Sequence, residues 1–252
     1  MPDARIALTT SVFLLSLVIS GTVNTALAQA GPVNSSEPVL KAPFSAHRLF
    51  TEIKNAPGGK TNQLQSGGSL ARDSKGLIYS AGERHWTYFD GQKDILKSEI
   101  LYRIHDPLTN TDTQWDSTTR EVKVIHWPRN PSQADTATSA LYAAFGGEVL
   151  DDTQPGINVE KLGTKIVAGV VAEGTQTSYT VSAKGGDNDK PIVVTHEKWY
   201  CPELKIVVLD INDDPRSGHT RDELTNITRV EPDLNQYHYP PDYHVREVRL
   251  PQ

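Results

Sequence analysis

The only cysteine of the chain lies in the stretch HEKWYCPELKIVVLDI, residues 196–211, where a histidine and a glutamate precede it. A cysteine and a histidine act as nucleophile and base only when their side chains are in hydrogen-bond contact. In a strand, His196 and Cys201 would point to opposite faces with their Cα atoms about 16 Å apart, because side chains alternate and each residue advances the chain by about 3.3 Å. Pro202 suits the second position of a turn. The sequence therefore predicts a hairpin in which Cys201 leads into the turn and its thiol is dispensable.

Other residues with metal-ligating or catalytic side chains have the wrong spacing for known sites. The stretch GGDNDK, residues 185–190, lacks the downstream ligands of a calcium loop. His238, Asp242 and His244 do not match a zinc pattern, and the chain contains neither G-x-S-x-G nor H-E-x-x-H. The sequence therefore predicts no catalytic residue, no metal site and no cofactor. Hydrolysis by scattered histidines and aspartates is a further alternative.

The first 30 residues have the pattern of a signal peptide. A positive charge at Arg5 precedes a mostly apolar run from residue 6 to residue 19, and small residues follow in ALAQA. Cleavage after Ala30, or after Ala28, fits the small-x-small rule. The alternative is an N-terminal membrane anchor, but a membrane span needs about 20 apolar residues and this run is shorter. We expect an exported protein, periplasmic or extracellular, with no transmembrane segment in the mature chain.

The composition excludes some partners. A formal net charge of -6 without a basic stripe argues against nucleic acid, because phosphate contacts need clustered lysines and arginines. A single cysteine allows no intramolecular disulfide, so an exported domain must rely on its hydrophobic core. Residues 31–41 are predicted to be a polar, flexible lead-in, and residues 42–250 predict a single β-rich domain, with two domains on either side of residues 128–157 as the alternative. No motif indicates an oligomeric state.

From residue 42 onward the chain shows short apolar and β-branched runs between turn signals, which is typical of a mainly β protein. Residues 128–157 interrupt this pattern, and the part from residue 134 to residue 145 predicts a short helix. The predicted fold class is therefore mainly β with one or two short helices. The predicted strand regions are residues 45–54, 66–86 around the turn RDSKG, 98–127 with turns at DPLTN and DSTTR, 159–181 with a turn at Gly169, and 191–233 with turns at CPEL and DDPRSG, followed by a final short strand.

Several stretches resemble a group of uncharacterised secreted bacterial proteins, among them APFSAHRLFTEI, ARDSKGLIY, IHDPLTN, VEKLGTKIVAGVVAEGTQTSYTV, the run from residue 191 to residue 233, and YPPDY. The order of elements is also similar to that of the LolA/LolB-type lipoprotein carriers, with long antiparallel strands, a short helical interruption and a late LTNI strand. Those carriers use a curved sheet with an apolar cavity that shields acyl chains. The resemblance implies a LolA/LolB-like fold, a curved antiparallel sheet or half-barrel. It implies no activity, because fold does not fix function.

The run LKIVVL predicts a strand that is apolar on both faces. Leu204, Ile206 and Val208 would face one way, and Val207 and Leu209 the other, so each face must be covered by protein or by a ligand. We therefore predict a module without enzymatic activity that binds an apolar ligand, a lipid or a lipoprotein acyl chain, in the concave face of the sheet. The alternative is a structural or protein-interaction module of the cell envelope without a cavity. The predicted ligand-binding residues are Trp199, Leu204, Ile206 and Val208.

Overall fold

The computed structural model describes residues 38–56, 59–127, 156–181 and 191–249. The predicted signal peptide, most of the lead-in, the predicted helix between residues 134 and 145, and the loop after β8 lie outside the described residues. Within the described ranges, no helix is long and apolar enough to cross a membrane.

The described residues form strands almost throughout, as the turn signals predicted. A short 3-10 helix, Leu234–Tyr237, is the helical element of these ranges. The strands are β1 (Phe44–Ala56), β2 (Lys60–Arg72), β3 (Ile78–Phe89), β4 (Asp94–Asp106), β5 (Thr111–Asp116), β6 (Glu121–His126), β7 (Ile157–Val167), β8 (Val170–Val181), β9 (Ile192–Cys201), β10 (Ile206–Asp214), β11 (Gly218–Thr228) and β12 (His244–Arg249).

Side-chain hydrogen bonds and backbone conformation fix the turns between these strands. The carboxylate of Asp73 accepts bonds from the backbone N–H groups of Lys75, at 2.9 Å, and Leu77, at 2.8 Å, between β2 and β3. Between β7 and β8, Ala168 and Gly169 have φ angles of 49° and 84°, the left-handed pair that a two-residue hairpin turn requires. The turns predicted at RDSKG and at Gly169 are confirmed.

All described strands belong to one curved sheet of twelve strands, in the order β12-β6-β5-β4-β3-β2-β1-β11-β10-β9-β8-β7. Neighbours are antiparallel except β12 and β6, which are parallel. The predicted mainly β fold with a curved, antiparallel-dominated sheet is confirmed. β1 joins the two halves of the chain because it pairs with β2 on one side and with β11 on the other.

The pairing registers assign side chains to the two faces of the sheet, because directly opposite residues in an antiparallel pair point the same way. Arg48 lies opposite Gly68, Gly68 opposite Gly82, and Gly82 opposite Leu101. Arg84 and Arg103 are two residues from Gly82 and Leu101, so they share the side of Arg48. We call this side the arginine face. The opposite side of β3 to β5, with Tyr79, Tyr102 and Trp115, is the tyrosine face.

Two hydrophobic clusters form the core. On the tyrosine face, the segment after β11 covers the sheet: Tyr237 packs edge-on against Tyr79 with ring centroids 5.7 Å apart, and Tyr239 packs against Trp115 at 6.1 Å. The second cluster therefore depends on residues close to the C-terminus. The first cluster brings together strands from both halves of the chain, with Phe44, Ala46, Leu70, Val170, Ala172, Trp199, Cys201, Leu204, Ile206, Val208, Leu209 and Leu224.

A β-bulge changes the predicted facing of the LKIVVL run. Leu204 lies in the turn, and β10 begins at Ile206. Ile206 lies opposite Cys201 and Leu209 opposite Trp199, with a register shift between Val207 and Leu209. Because the shift inserts one residue into β10, Ile206 and Leu209 point to the same side. The prediction that Leu209 faces away from Ile206 is wrong, since a bulge is invisible to a strict period-2 pattern.

Candidate functional site

The four predicted ligand-binding residues all lie in the first core cluster. Trp199, Leu204, Ile206 and Val208 are 5%, 3%, 1% and 1% exposed. Val207 and Leu209 are buried as well, so residues 206–209 are covered by the protein itself. Contact between a ligand and these four side chains would require this cluster to open, and their role as ligand-binding residues stays a prediction.

Trp199 lies flat across a glycine and beneath a lysine. A Cβ built on Gly174, its cross-strand partner, would be 2.6 Å from the indole ring. On the ring, the Nζ atom of Lys165 lies 3.6 Å from a ring centroid, a cation–π contact. The indole N–H donates to the carboxylate of Glu197, which Lys165 approaches at 3.5 Å. The polar edge of Trp199 is therefore satisfied by the protein, as a buried indole requires.

Cys201 is the last residue of β9, and residues 202–205 form the turn, so the predicted hairpin is confirmed. His196 lies opposite Asn212, and its Nε2 atom is 2.8 Å from a carboxylate oxygen of Asp210. The histidine is therefore on the other side of the strand from the thiol, and the two form no catalytic pair. Cys201 is fully buried in the first cluster, however. The expectation that its thiol is dispensable is revised, because that atom fills core volume.

Asp112 of β5 is a buried aspartate with several hydrogen-bond partners. Its carboxylate accepts two bonds from the guanidinium of Arg103, at 3.0 and 2.8 Å, and one from the indole N–H of Trp127, at 2.7 Å. The Nδ1 atom of His105 lies 2.9 Å away. Burial raises the pKa of Asp112, but Arg103 and His105 outweigh that effect and lower the pKa to about 2. The carboxylate is therefore ionised and joins β4 to β5.

The residues of the Pro-rich tail do not form a metal site. Asp242 forms an exposed ion pair with Arg120 at 3.5 Å, and His244 pairs through its backbone with the loop before β6. Across the described ranges, no group of three or more histidine, cysteine or acidic side chains could hold a metal ion.

A gap opens in the sheet where three glycines meet. Among the described residues, β2 and β3 pair only from Gly68 to Arg72, and their remaining parts do not pair with each other. At Gly68 the strands approach so closely that a Cβ would be 2.4 Å from the carbonyl oxygen of Ala81. We call Gly67, Gly68 and Gly82 the glycine gap. Gly68 and Gly82 lie on the arginine face, where Gly82 is buried, whereas the position of Gly67 faces the opposite side.

Two arginines flank the glycine gap on the arginine face. Arg48 of β1 holds Asp222 of β11 through its Nε atom, at 2.6 Å, and its Nη2 atom. Arg84 of β3 holds Glu99 of β4 through its Nη2 atom. Within the described part of the chain, the Nη1 atom of Arg48 and the Nε atom of Arg84 are buried and have no hydrogen-bond partner. Each arginine thus has one unpartnered donor, and the two ion pairs draw the guanidiniums toward β11 and β4, away from the glycine gap.

Beyond the gap, β3 and β4 continue as a two-stranded ribbon, residues 83–100, which we call the outer hairpin. In the described structure, this part of β3 does not pair with β2, and β4 pairs with β5 only from Leu101 onward. Phe89 and Leu96 are 66% and 64% exposed, and Tyr88 and Ile100 are also exposed. On the arginine face, Arg84 lies over the ring of Trp86 at 5.6 Å, and Lys97 lies over the ring of Tyr88 at 5.0 Å. Phe89, Leu96 and Ile100 point away from the arginine face, so the outer hairpin has an exposed apolar surface on the opposite side from Arg84.

The sequence prediction missed this site because residues 87–97 were not assigned to a strand. Two signals were present in TYFDGQKDIL: an Asp-Gly pair, typical of a hairpin turn, and aromatic residues before it. Arg48 and Arg84 carried no such signal. Their position at one gap depends on the register across three strands.

Comparison with known proteins shows similarity in structure alone. No family model matches the chain, and no curated protein matches it. Similar solved structures include MucB (TM-score 0.33, 11% identity, 81% of this chain and 60% of that chain). They also include LprF from Mycobacterium bovis (0.30, 11%, 77% and 90%) and a beta-barrel-like protein of domain of unknown function DUF1849 from Brucella abortus (0.38, 10%, 77% and 100%). The chain thus spans less than two thirds of MucB. These identities and TM-scores are low, and function has to be inferred from the side chains.

Proposed function

We propose that the protein is an exported, non-enzymatic module that binds an apolar ligand, a lipid or an acyl chain, along the outer hairpin. The supporting observation is the exposure of three large apolar side chains, Phe89, Leu96 and Ile100, which the strand register places on one face of the ribbon, opposite the arginine face. Contiguous exposed apolar side chains are uncommon on soluble proteins and mark binding surfaces.

The expected energetic gain suits a lipid. Each CH₂ group that leaves water contributes about 0.8 kcal/mol, so an acyl chain that covers Phe89 and Leu96 gains several kcal/mol. Trp86 and Tyr88 lie on the other face of the ribbon, the arginine face, so the acyl chain is expected along Phe89 and Leu96. The location differs from the predicted one, because Leu204, Ile206 and Val208 are core residues in the closed structure.

A titration with the fluorescent apolar probe N-phenyl-1-naphthylamine tests the proposal. We expect the protein to bind the probe, and we expect the double substitution Phe89→Ser and Leu96→Ser to weaken binding at least tenfold. The matched control is Ile166→Ser with Val171→Ser, because these residues are exposed cross-strand partners on a different hairpin, β7–β8.

The proposal is contradicted if the wild-type protein binds no probe, or if the two double variants lose binding equally. Tight binding of a protein partner to the outer hairpin, with no binding of the probe, would instead support the interaction-module alternative.

A further inference from the structure

On the arginine face of the outer hairpin, cations cover the two aromatic rings. The guanidinium of Arg84 lies over the ring of Trp86 at 5.6 Å, and the ammonium of Lys97 lies over the ring of Tyr88 at 5.0 Å. Arg84 also forms an ion pair with Glu99. This face of the ribbon therefore presents charged groups to the solvent.

The opposite face of the outer hairpin is apolar and exposed. Phe89, Leu96 and Ile100 are 66%, 64% and 41% exposed, and the strand register places all three on this face. Thr87 and Ser98, which lie on the same face, are small and uncharged. The ribbon is therefore amphipathic, with one charged face and one apolar face.

The outer hairpin has no walls that could enclose a single lipid. Among the described strands, residues 83–89 of β3 and residues 94–99 of β4 pair only with each other. Sites for single small molecules are clefts that cover most of the ligand. One acyl chain laid on Phe89 and Leu96 would keep much of its own surface in water. When the same face lies against a bilayer, the acyl chains stay in their apolar environment.

The open edges and the turn of the outer hairpin limit how deep it can enter a bilayer. Each edge carries backbone N–H and C=O groups that need partners, which hydrocarbon does not supply. The turn is polar, and the carboxylate of Asp90 accepts bonds from the backbone N–H groups of Gln92 and Lys93, both at 2.9 Å. A ribbon that lies flat among the headgroups keeps its edges and turn hydrated while the three apolar side chains reach the acyl chains.

The charges on this face do not favour an anionic surface. Glu83 lies opposite Ile100, and Asp94 lies opposite Phe89, so two carboxylates share the apolar face. The whole chain has a formal net charge of -6. Attraction to anionic lipids needs lysines and arginines clustered at the membrane surface. Binding would therefore depend on apolar burial and would not require anionic lipids.

We infer that the apolar face of the outer hairpin binds the surface of a lipid bilayer, with the ribbon lying flat at the level of the headgroups. This inference rests on the proposed binding of a lipid along the outer hairpin, and it names the bilayer as the form in which the lipid is bound.

Flotation with lipid vesicles tests the inference. We expect the wild-type protein to float with vesicles of phosphatidylcholine, and no more strongly with vesicles of an equal mixture with phosphatidylglycerol. Phe89→Ser with Leu96→Ser should lower the partition coefficient about tenfold or more, because two exposed apolar side chains are lost. The matched control, Ile166→Ser with Val171→Ser, removes two exposed apolar residues from β7–β8 and should leave partitioning unchanged.

A third variant distinguishes a bilayer from a protein partner. Leu96→Trp should keep or strengthen flotation, because tryptophan is favoured at the interface between membrane and water. Loss of flotation in this variant would contradict the inference.

Binding of N-phenyl-1-naphthylamine without flotation overturns the inference while the proposed function stands. Flotation that requires phosphatidylglycerol, or that the two double variants retain or lose equally, also overturns it. A wild-type protein that binds neither the probe nor the vesicles overturns both.

Discussion

Replacing Asp112 by Asn should destabilise the protein strongly, and the effect should shrink in acid. The Asp112 carboxylate receives two bonds from Arg103, one from Trp127, and a contact with His105. Asparagine keeps the shape but loses the charge, so the guanidinium of Arg103, which is mostly buried, loses the opposite charge of Asp112. Breaking a buried ion pair in this way costs about 3–5 kcal/mol.

The pH dependence follows from the pKa of Asp112, which is lowered to about 2 in the folded protein. A depressed pKa contributes stability that is present above the pKa of the unfolded chain, and that is lost as the pH falls through the folded value. The window therefore lies between about pH 4 and pH 2, and the contribution is about 2–3 kcal/mol at 1.36 kcal/mol per pKa unit. The stability difference between wild type and Asp112→Asn should shrink by about this amount across the window.

Urea unfolding followed by far-ultraviolet circular dichroism at pH 7, and in steps from pH 5 to pH 2, measures both quantities. Asp242→Asn is the control, because Asp242 forms only an exposed ion pair and should change stability by less than about 1 kcal/mol. A loss of less than 1 kcal/mol at pH 7 for Asp112→Asn, or a difference that persists undiminished at pH 2, would refute the account of this cluster.

Three further substitutions probe the core by urea unfolding. Gly174→Ala should cost about 1–3 kcal/mol and alter tryptophan fluorescence, because the new methyl group meets the ring of Trp199, whereas Gly67→Ala meets nothing within 4 Å and should have little effect. Cys201→Ser should cost about 1–3 kcal/mol, since a hydroxyl replaces a fully buried thiol; equal stability of the two proteins would restore the dispensable thiol. Val208→Asp should cost about 3–5 kcal/mol by burying an unpaired charge, and a stable variant would show that this residue faces a cavity.

The strands could be predicted from the sequence because local residue types mark their ends, but the long-range pairing between strands could not. Aspartate, proline and glycine mark the turns, and the strands lie between them. By contrast, Arg48 and Asp222 are 174 positions apart, and no residue type in either segment indicates that β1 pairs with β11. The sequence likewise gives no signal for the parallel pairing of β12 with β6.

The predicted ligand-binding residues cannot be told apart from core residues in the sequence, for a similar reason. An apolar run such as LKIVVL predicts burial, and burial by a ligand looks the same in sequence as burial by Phe44, Leu70 and Leu224. The contact between Asp112 and His105 could have been predicted, because the two residues lie opposite each other once the turn after β4 is placed. The glycine gap could not, since it depends on where the pairing of β2 with β3 stops.

The central position of β1 has a mechanical consequence. A pull on the N-terminal side of the domain runs along β1, which is bonded to β2 on one edge and to β11 on the other. The backbone hydrogen bonds of β1 with β2 and with β11 lie perpendicular to the strand. A pull along β1 therefore shears both sets of hydrogen bonds, and many of them must break together. A pull on the C-terminal side acts on β12, a six-residue edge strand bonded only to β6 among the described residues, so fewer hydrogen bonds resist it. The sheet therefore bears tension from its N-terminal end, while its C-terminal end yields first and takes the cover of the tyrosine face with it.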